Sequence, residues 1–193
     1  MKKLGIIELL IPMLDRLNPD LVLVVLTFLF KMSIIGENKD QMISLGIVEK
    51  VNKFLSCDNE MHLTLSLRIL FNLSFDQDAR NLMDKCGMTS KFVKFLEVPS
   101  LRKVTLSLLY HLSLEDKIKA NFKFTDCVPL VYQLIIHFPQ PIVGKELVAL
   151  AINLTMNPDN AALMSDGDQF DMLVKRAMQQ NDTLLFKVIR NIS

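Results

Sequence analysis

The sequence predicts an all-α solenoid, a stack of repeated three-helix units with four full repeats and a partial one at the start. Three observations predict it: the same short texts return at a fixed period in two registers, the apolar residues between them recur at helical spacing, and strand signals are weak. The first register is Gly5, Gly46, Gly87, Cys127 and Gly167, spaced by 41, 41, 40 and 40 residues. The second is the end of a long helix: Phe30-Lys-Met-Ser33, Phe71-Asn-Leu-Ser74, Tyr110-His-Leu-Ser113, Ile152-Asn-Leu-Thr155 and Arg190-Asn-Ile-Ser193. Its hydroxyl residues are 41, 39, 42 and 38 apart.

The units run approximately over 1–35, 36–75, 76–114, 115–156 and 157–193, within one array over 1–193. In the first, Asn18-Pro19 reads as a capping Asn followed by proline at the first helical position, where the missing N–H costs nothing. The second is the clearest, with helices over roughly 38–45, 47–56 and 60–74, and Asp58 as a candidate cap for the last. Gly46 between the first two permits a sharp turn at positive φ. In the third unit Val104, Leu106, Leu108, Leu109 and Leu112 repeat the wide apolar pattern of Leu63, Leu65, Leu67, Ile69, Leu70 and Leu73. That pattern suits a helix buried between neighbours, and Ser100 is its candidate cap. The fourth unit carries Cys127 where the frame otherwise has glycine. The fifth opens with Asn157-Pro158, and Asp182 is placed to cap its last helix. Asp166-Gly167 sits on the repeat frame and not between alternating runs, so it does not read as a hairpin turn.

Composition excludes several classes. The 193 residues are 50% apolar and 22% charged, and 22 Lys+Arg against 21 Asp+Glu leave a net charge of +1, without the basic excess that nucleic-acid binding draws on. The uncharged run Leu21 to Phe30 stops at Lys31, short of the ~20 residues a membrane-spanning helix needs. Glu8 and Asp15 interrupt the first apolar stretch, which is unlike a secretory signal. The isolated cysteines Cys57, Cys86 and Cys127 form no CxxC, so a reducing, cytoplasmic setting is expected.

No catalytic or cofactor motif emerges, and neither an enzyme nor a small-molecule substrate is expected. The six glycines are too far apart for a phosphate-cradling loop. His62, His111 and His137 have no zinc-ligand framework and read as packing or solvated histidines. Asp76-Gln-Asp78 opens like a calcium loop, but Arg80 takes the fifth position and Asn81 the place of the glycine. Four Asn-X-Ser/Thr triplets start at Asn72, Asn153, Asn181 and Asn191, three of them on the repeat frame, and read as repeat residues and not sugar sites. The methionines, among them Met32, Met42, Met83, Met156 and Met164, read as core gap-fillers.

Three helices in about forty residues, with glycine after the first and Asn-Leu-Ser closing the third, resemble the armadillo pattern, a right-handed superhelical solenoid. Further stretches are similar to the kinesin-associated protein family, the non-motor accessory subunits of heterotrimeric ciliary kinesin. They are Leu23 to Ile34 with Glu37 to Met42, Leu65 to Asp76 with Arg80-Asn81, Leu109 to Ser113, Thr125 to Pro129, Ile152 to Leu154, Lys175 to Ala177 and Leu184 to Ser193. The likeness is spread over nearly the whole chain. Members of that family have a further N-terminal region and more repeats, so the chain reads as a fragment of a longer array.

In armadillo arrays the third helices line a groove, and an Asn near the end of each hydrogen-bonds an extended partner. That position and the one four earlier, one helical turn away, give Thr27 and Lys31, Arg68 and Asn72, Ser107 and His111, Ala149 and Asn153, Lys187 and Asn191. Importin-type receptors place Trp at the earlier position to hold lysine stems. This chain has no Trp, and the row Lys31, Arg68 and Lys187 suits a partner bearing carboxylates. The resemblance implies as partners the C-terminal tails of two kinesin motor chains together with cargo, in cilia or flagella. An adaptor is therefore the leading expectation, and an armadillo segment that mainly stacks on other repeats, or binds a different partner, is the alternative.

Overall fold

The computed structural model describes residues 5–165 and 167–193. Residues 1–4, at the head of the expected first unit, and Asp166 of the frame pair lie outside the described residues. The described residues contain helices and no strand, and fall into two compact units, one ending at Lys91 and the other running from Phe92 to Ser193.

The first unit holds α1 (Ile6–Met13), α2 (Pro19–Met32), α3 (Gly36–Ser44), α4 (Ile47–Asn52), α5 (Glu60–Leu73), α6 (Gln77–Lys85) and the start of α7 (Met88–Phe95). A 3-10 turn, Lys53–Ser56, continues α4, so the helix expected over 47–56 is tightened at its end. Asn18 caps α2, its side-chain oxygen accepting from the N–H groups of Asp20 and Leu21 at 3.0 and 3.1 Å, with Pro19 at the first helical position. The α5 cap is Asn59 and not Asp58: the Asn59 carboxamide accepts from the N–H groups of Met61 and His62, both at 3.1 Å. That register buries His62, whose Nε2–H donates to the Pro19 carbonyl at 3.0 Å while its ring meets Phe54 edge-on. Helices α2 and α5 lie side by side, with Leu26, Leu29, Leu67 and Leu70 fully buried. Each such leucine contributes about 1.5–3 kcal/mol over an exposed one.

The second unit continues α7 and adds α8 (Pro99–Leu112), α9 (Asp116–Asn121), α10 (Cys127–Ile136), α11 (Lys145–Thr155), α12 (Pro158–Ala162), α13 (Gly167–Gln180) and α14 (Thr183–Ile192). Helix α11 packs against both α8 and α14, burying Leu109, Leu112, Leu150, Leu154 and Leu185. Ser100 does not cap α8. Pro99 occupies the first turn, which makes Val98 the cap residue and places Ser100 inside the helix. Asn157 and Asp182 do cap, accepting from the N–H groups of Asn160 at 3.2 Å and Leu184 at 3.1 Å. Asn181 ends α13 with φ 49°, and the Asp182 N–H reaches back to the Ala177 carbonyl at 3.1 Å, a left-handed helix stop.

The glycine frame is conformationally mixed. Gly46 and Gly87 have φ 74° and 67°, as the turn requires, whereas Gly5 has φ −64°. Cys127 is the first residue of α10, with Asp126 as its cap residue, and is fully buried. The place of Cys127 in the frame therefore asks for a compact apolar side chain and not for left-handed backbone.

Candidate partner-binding surface

The expected site residues lie on α2 and α5 in the first unit and on α8, α11 and α14 in the second. Helices α2, α8 and α11 end in a buried hydroxyl, Ser33, Ser113 and Thr155 being at most 2% exposed, whereas Ser193 at the end of α14 is exposed. Each hydroxyl gives its proton to its own helix. Ser33 Oγ donates to the Phe30 carbonyl at 2.7 Å, Ser113 Oγ to Tyr110 at 2.6 Å, and Thr155 Oγ1 to Ala151 at 2.8 Å. With the proton committed, only lone pairs remain for the next helix along, so that helix must present a donor.

The Asn of the following third helix supplies it. Asn72 Nδ2 donates to Ser33 Oγ at 2.8 Å, Asn153 Nδ2 to Ser113 Oγ at 3.1 Å, and Asn191 Nδ2 to Thr155 Oγ1 at 3.1 Å and to the Ile152 carbonyl at 3.3 Å. The hydroxyl thus fixes which way each carboxamide points. Among the described residues, no donor meets Oδ1 of any of the three, all half-buried, which leaves one oriented acceptor in the first unit and two in the second.

The position one turn earlier is chemically heterogeneous. Thr27 and Ser107 turn their hydroxyls onto their own helices, donating to the Leu23 and Lys103 carbonyls at 2.8 and 3.2 Å. Ala149 offers no polar group. Arg68 is exposed and its guanidinium lies 5.9 Å from the centroid of the Phe30 ring on α2, a stack that restrains the cation. Lys31 and Lys187 are exposed and, among the described residues, lie within ion-pair distance of no carboxylate. His111 is half-buried with its ring 5.8 Å from that of Tyr110.

Sequence reasoning placed Phe30 on the repeat frame but not at the site, and did not find the shallow depression of about 240 Å³ that Leu23, Val24 and Phe28 form with Thr27 and Lys31. Val24 and Phe28 are more than half exposed, but α2 is apolar around its whole circumference, so its pattern reads as buried everywhere. The Asn-to-hydroxyl pairing did leave a signal, since both members recur on the repeat frame, but its partners are 36 to 40 residues apart.

The other motifs resolve into structure. Asp76, the head of the apparent calcium loop, caps α6 by accepting from the Ala79 N–H at 2.9 Å. No group of three metal-ligating side chains is present among the described residues, and no described helix is long and apolar enough to cross a membrane. The three cysteines are unpaired, with burial pushing the thiols of Cys86 and Cys127 up. Met42, Met83 and Met164 fill the core as expected, whereas Met156 is exposed at the end of α11.

Within each unit, repeated helices packed side by side and bridged by Asn have the armadillo-repeat fold. Solved structures agree on the fold. A designed armadillo repeat protein superposes with TM-score 0.81 at 12% identity, over 98% of this chain and 83% of that one. A structure from work on a phosphorylation switch in the interaction between cadherin and β-catenin gives 0.81 at 16% identity, over 97% of this chain and 37% of that one. A designed armadillo repeat protein in complex with the peptide (KR)4 gives 0.78 at 14% identity, over 96% and 80%. Within that class, the family model of kinesin-associated protein (KAP) matches residues 1–193, and the chain belongs to the kinesin-associated protein family.

Proposed function

We propose that this chain is a non-catalytic adaptor that holds tail segments of kinesin motor chains on its third-helix face and links motor to cargo in microtubule-based transport, in cilia or flagella. The observation that carries the reading is the row of Asn carboxamides, each anchored by Nδ2 to a buried hydroxyl and each presenting an unmet Oδ1. Such acceptors take backbone N–H groups of a partner whatever its side chains, which is what an extended tail offers. The cations Lys31, Arg68 and Lys187 add a preference for carboxylates, and membership of the family supports a kinesin tail as the occupant. Reading residues 1–193 as one array of five consecutive units belongs to the same proposal.

The test is a fluorescence titration of the chain with the C-terminal tails of the two motor subunits, alone and paired, beside an Arg68→Glu/Lys187→Glu variant. Saturable binding that weakens at least about tenfold in the variant and with rising salt is expected. Binding of equal strength by parent and variant would remove the cations from the site. Absence of binding to either tail, with the helical circular dichroism intact, would overturn the adaptor reading.

A further inference from the structure

The link from α10 to α11 departs from the repeat. Second and third helices are joined by residues 14–18, 57–59, 96–98 and 181–182 elsewhere, but here by the longer run 137–144, which includes Pro139 and Pro141. The longer link is held from one side. Arg176 on α13 donates Nη1 to the Ile136 carbonyl at 3.3 Å and Nη2 to the Gln140 carbonyl at 2.6 Å. The Val143 N–H donates to Asp182 Oδ2 at 3.4 Å, and Val143 itself is 2% exposed. The two prolines fix φ at their positions in this link, and Arg176 and Asp182 brace it.

Its other side closes over a half-open cavity of about 610 Å³, within the range of pockets that take small ligands or a few side chains, roughly 300–1,000 Å³. The floor is apolar, with Leu106, Leu130, Leu134 and Leu147. The rim carries Arg102, half-buried, whose Nε donates to the Leu96 carbonyl at 2.6 Å. That bond fixes the plane of the guanidinium. Among the described residues, its terminal nitrogens meet no carboxylate, Glu97 on the same rim included. Glu97 is exposed and solvated, so the anchored charge is the one that discriminates. Gln133 and Gln140 add neutral donors and acceptors at the mouth.

We infer that this cavity is a docking site for a protein segment in which a large apolar side chain stands next to a carboxylate. The apolar group fills the leucine floor, the carboxylate takes the fork of Arg102, and the glutamines meet the segment's backbone. The site is separate from the row of Asn carboxamides, and its occupant need not be a motor tail.

The test is an NMR titration of the full chain, labelled at leucine methyls, with acetyl-Phe-Asp-amide and with its neutral isostere acetyl-Phe-Asn-amide, repeated on Arg102→Gln. Saturable shifts at Leu106, Leu134 and Leu147 are expected with the Asp probe, at least about tenfold weaker with the Asn probe and with the variant. Equal binding of the two probes would overturn carboxylate recognition, and the absence of saturable shifts at those methyls would overturn the site. Should Arg102→Gln fail to fold, the two probes on the parent chain decide alone.

Discussion

Tyr132 is buried at 1% exposure, yet its hydroxyl has no protein partner among the described residues. Burial, reinforced by the charge of Asp171, pushes its pKa up to about 12, so the ring stays neutral in any physiological setting. A buried hydroxyl left without a bond forfeits roughly 1–3 kcal/mol relative to one that is satisfied. Tyr132→Phe therefore leaves stability unchanged or raises it by up to about 1 kcal/mol in urea unfolding, whereas a comparable loss would show that the hydroxyl is bonded. Asp15 shows the opposite situation. It is bonded first by Lys50 and then by Lys53, the latter at 2.8 Å, and these cations hold its carboxyl down to about 2. A carboxyl lowered in the folded state stabilises the fold above the unfolded value of about 3.9 and loses that contribution as pH falls toward about 2. Because the side chain is half exposed, solvent screening keeps the effect small. Asp15→Asn is expected to flatten the stability profile between about pH 4 and 2 and to leave its shape above pH 5 unaltered, as followed by thermal melts. An undiminished slope in the variant would assign the acid sensitivity to other carboxylates.

At the scale of the element, the two left-handed glycines separate conformational demand from space. A Cβ at Gly46 meets only Glu49 Oε2 at 3.6 Å, an ordinary contact, so the whole cost of a side chain there is its φ of 74°. Gly46→Ala is expected to lose about 1–2 kcal/mol, while Gly36→Ala, at the start of α3 with nothing within 4 Å, is expected to be neutral or slightly stabilising. Paired denaturant curves check this, and equal losses at both sites would contradict it. The long apolar helices and the caps Asn18, Asn157 and Asp182 were legible in the sequence because propensity, proline position and periodicity agree there. The choice between Asp58 and Asn59 was not, since neighbouring residues of similar capping chemistry differ only through the tertiary register that buries His62. Nor was the absence of a side-chain cap on α8, where Pro99 displaces Ser100 into the helix. The link over 137–144 gave no signal of a cavity, because Arg176 and Asp182, which brace it, are brought near only by the packing of α13 and of the turn before α14. At the candidate site, the Asn positions followed from the repeat frame, but the direction of each carboxamide followed only from the proton accounting of Ser33, Ser113 and Thr155.

On the scale of the whole molecule, one local motif, the Asn-to-hydroxyl bond, recurs at Asn72, Asn153 and Asn191. Each Asn stabilises its own unit by bonding the hydroxyl of the helix before it, worth about 0.5–1.5 kcal/mol, and the same bond orients the acceptor left over. Packing uses one end of each carboxamide, and in the proposed adaptor reading the other end grips the partner. The measurement that tests this account most directly is hydrogen–deuterium exchange of the full chain with and without the paired motor tails at saturating concentration. The account predicts added protection on α2, α5, α8, α11 and α14, centred on the turns bearing Asn72, Asn153 and Asn191. Protection confined to α4, α6 and α10, with the third helices unchanged, would contradict it.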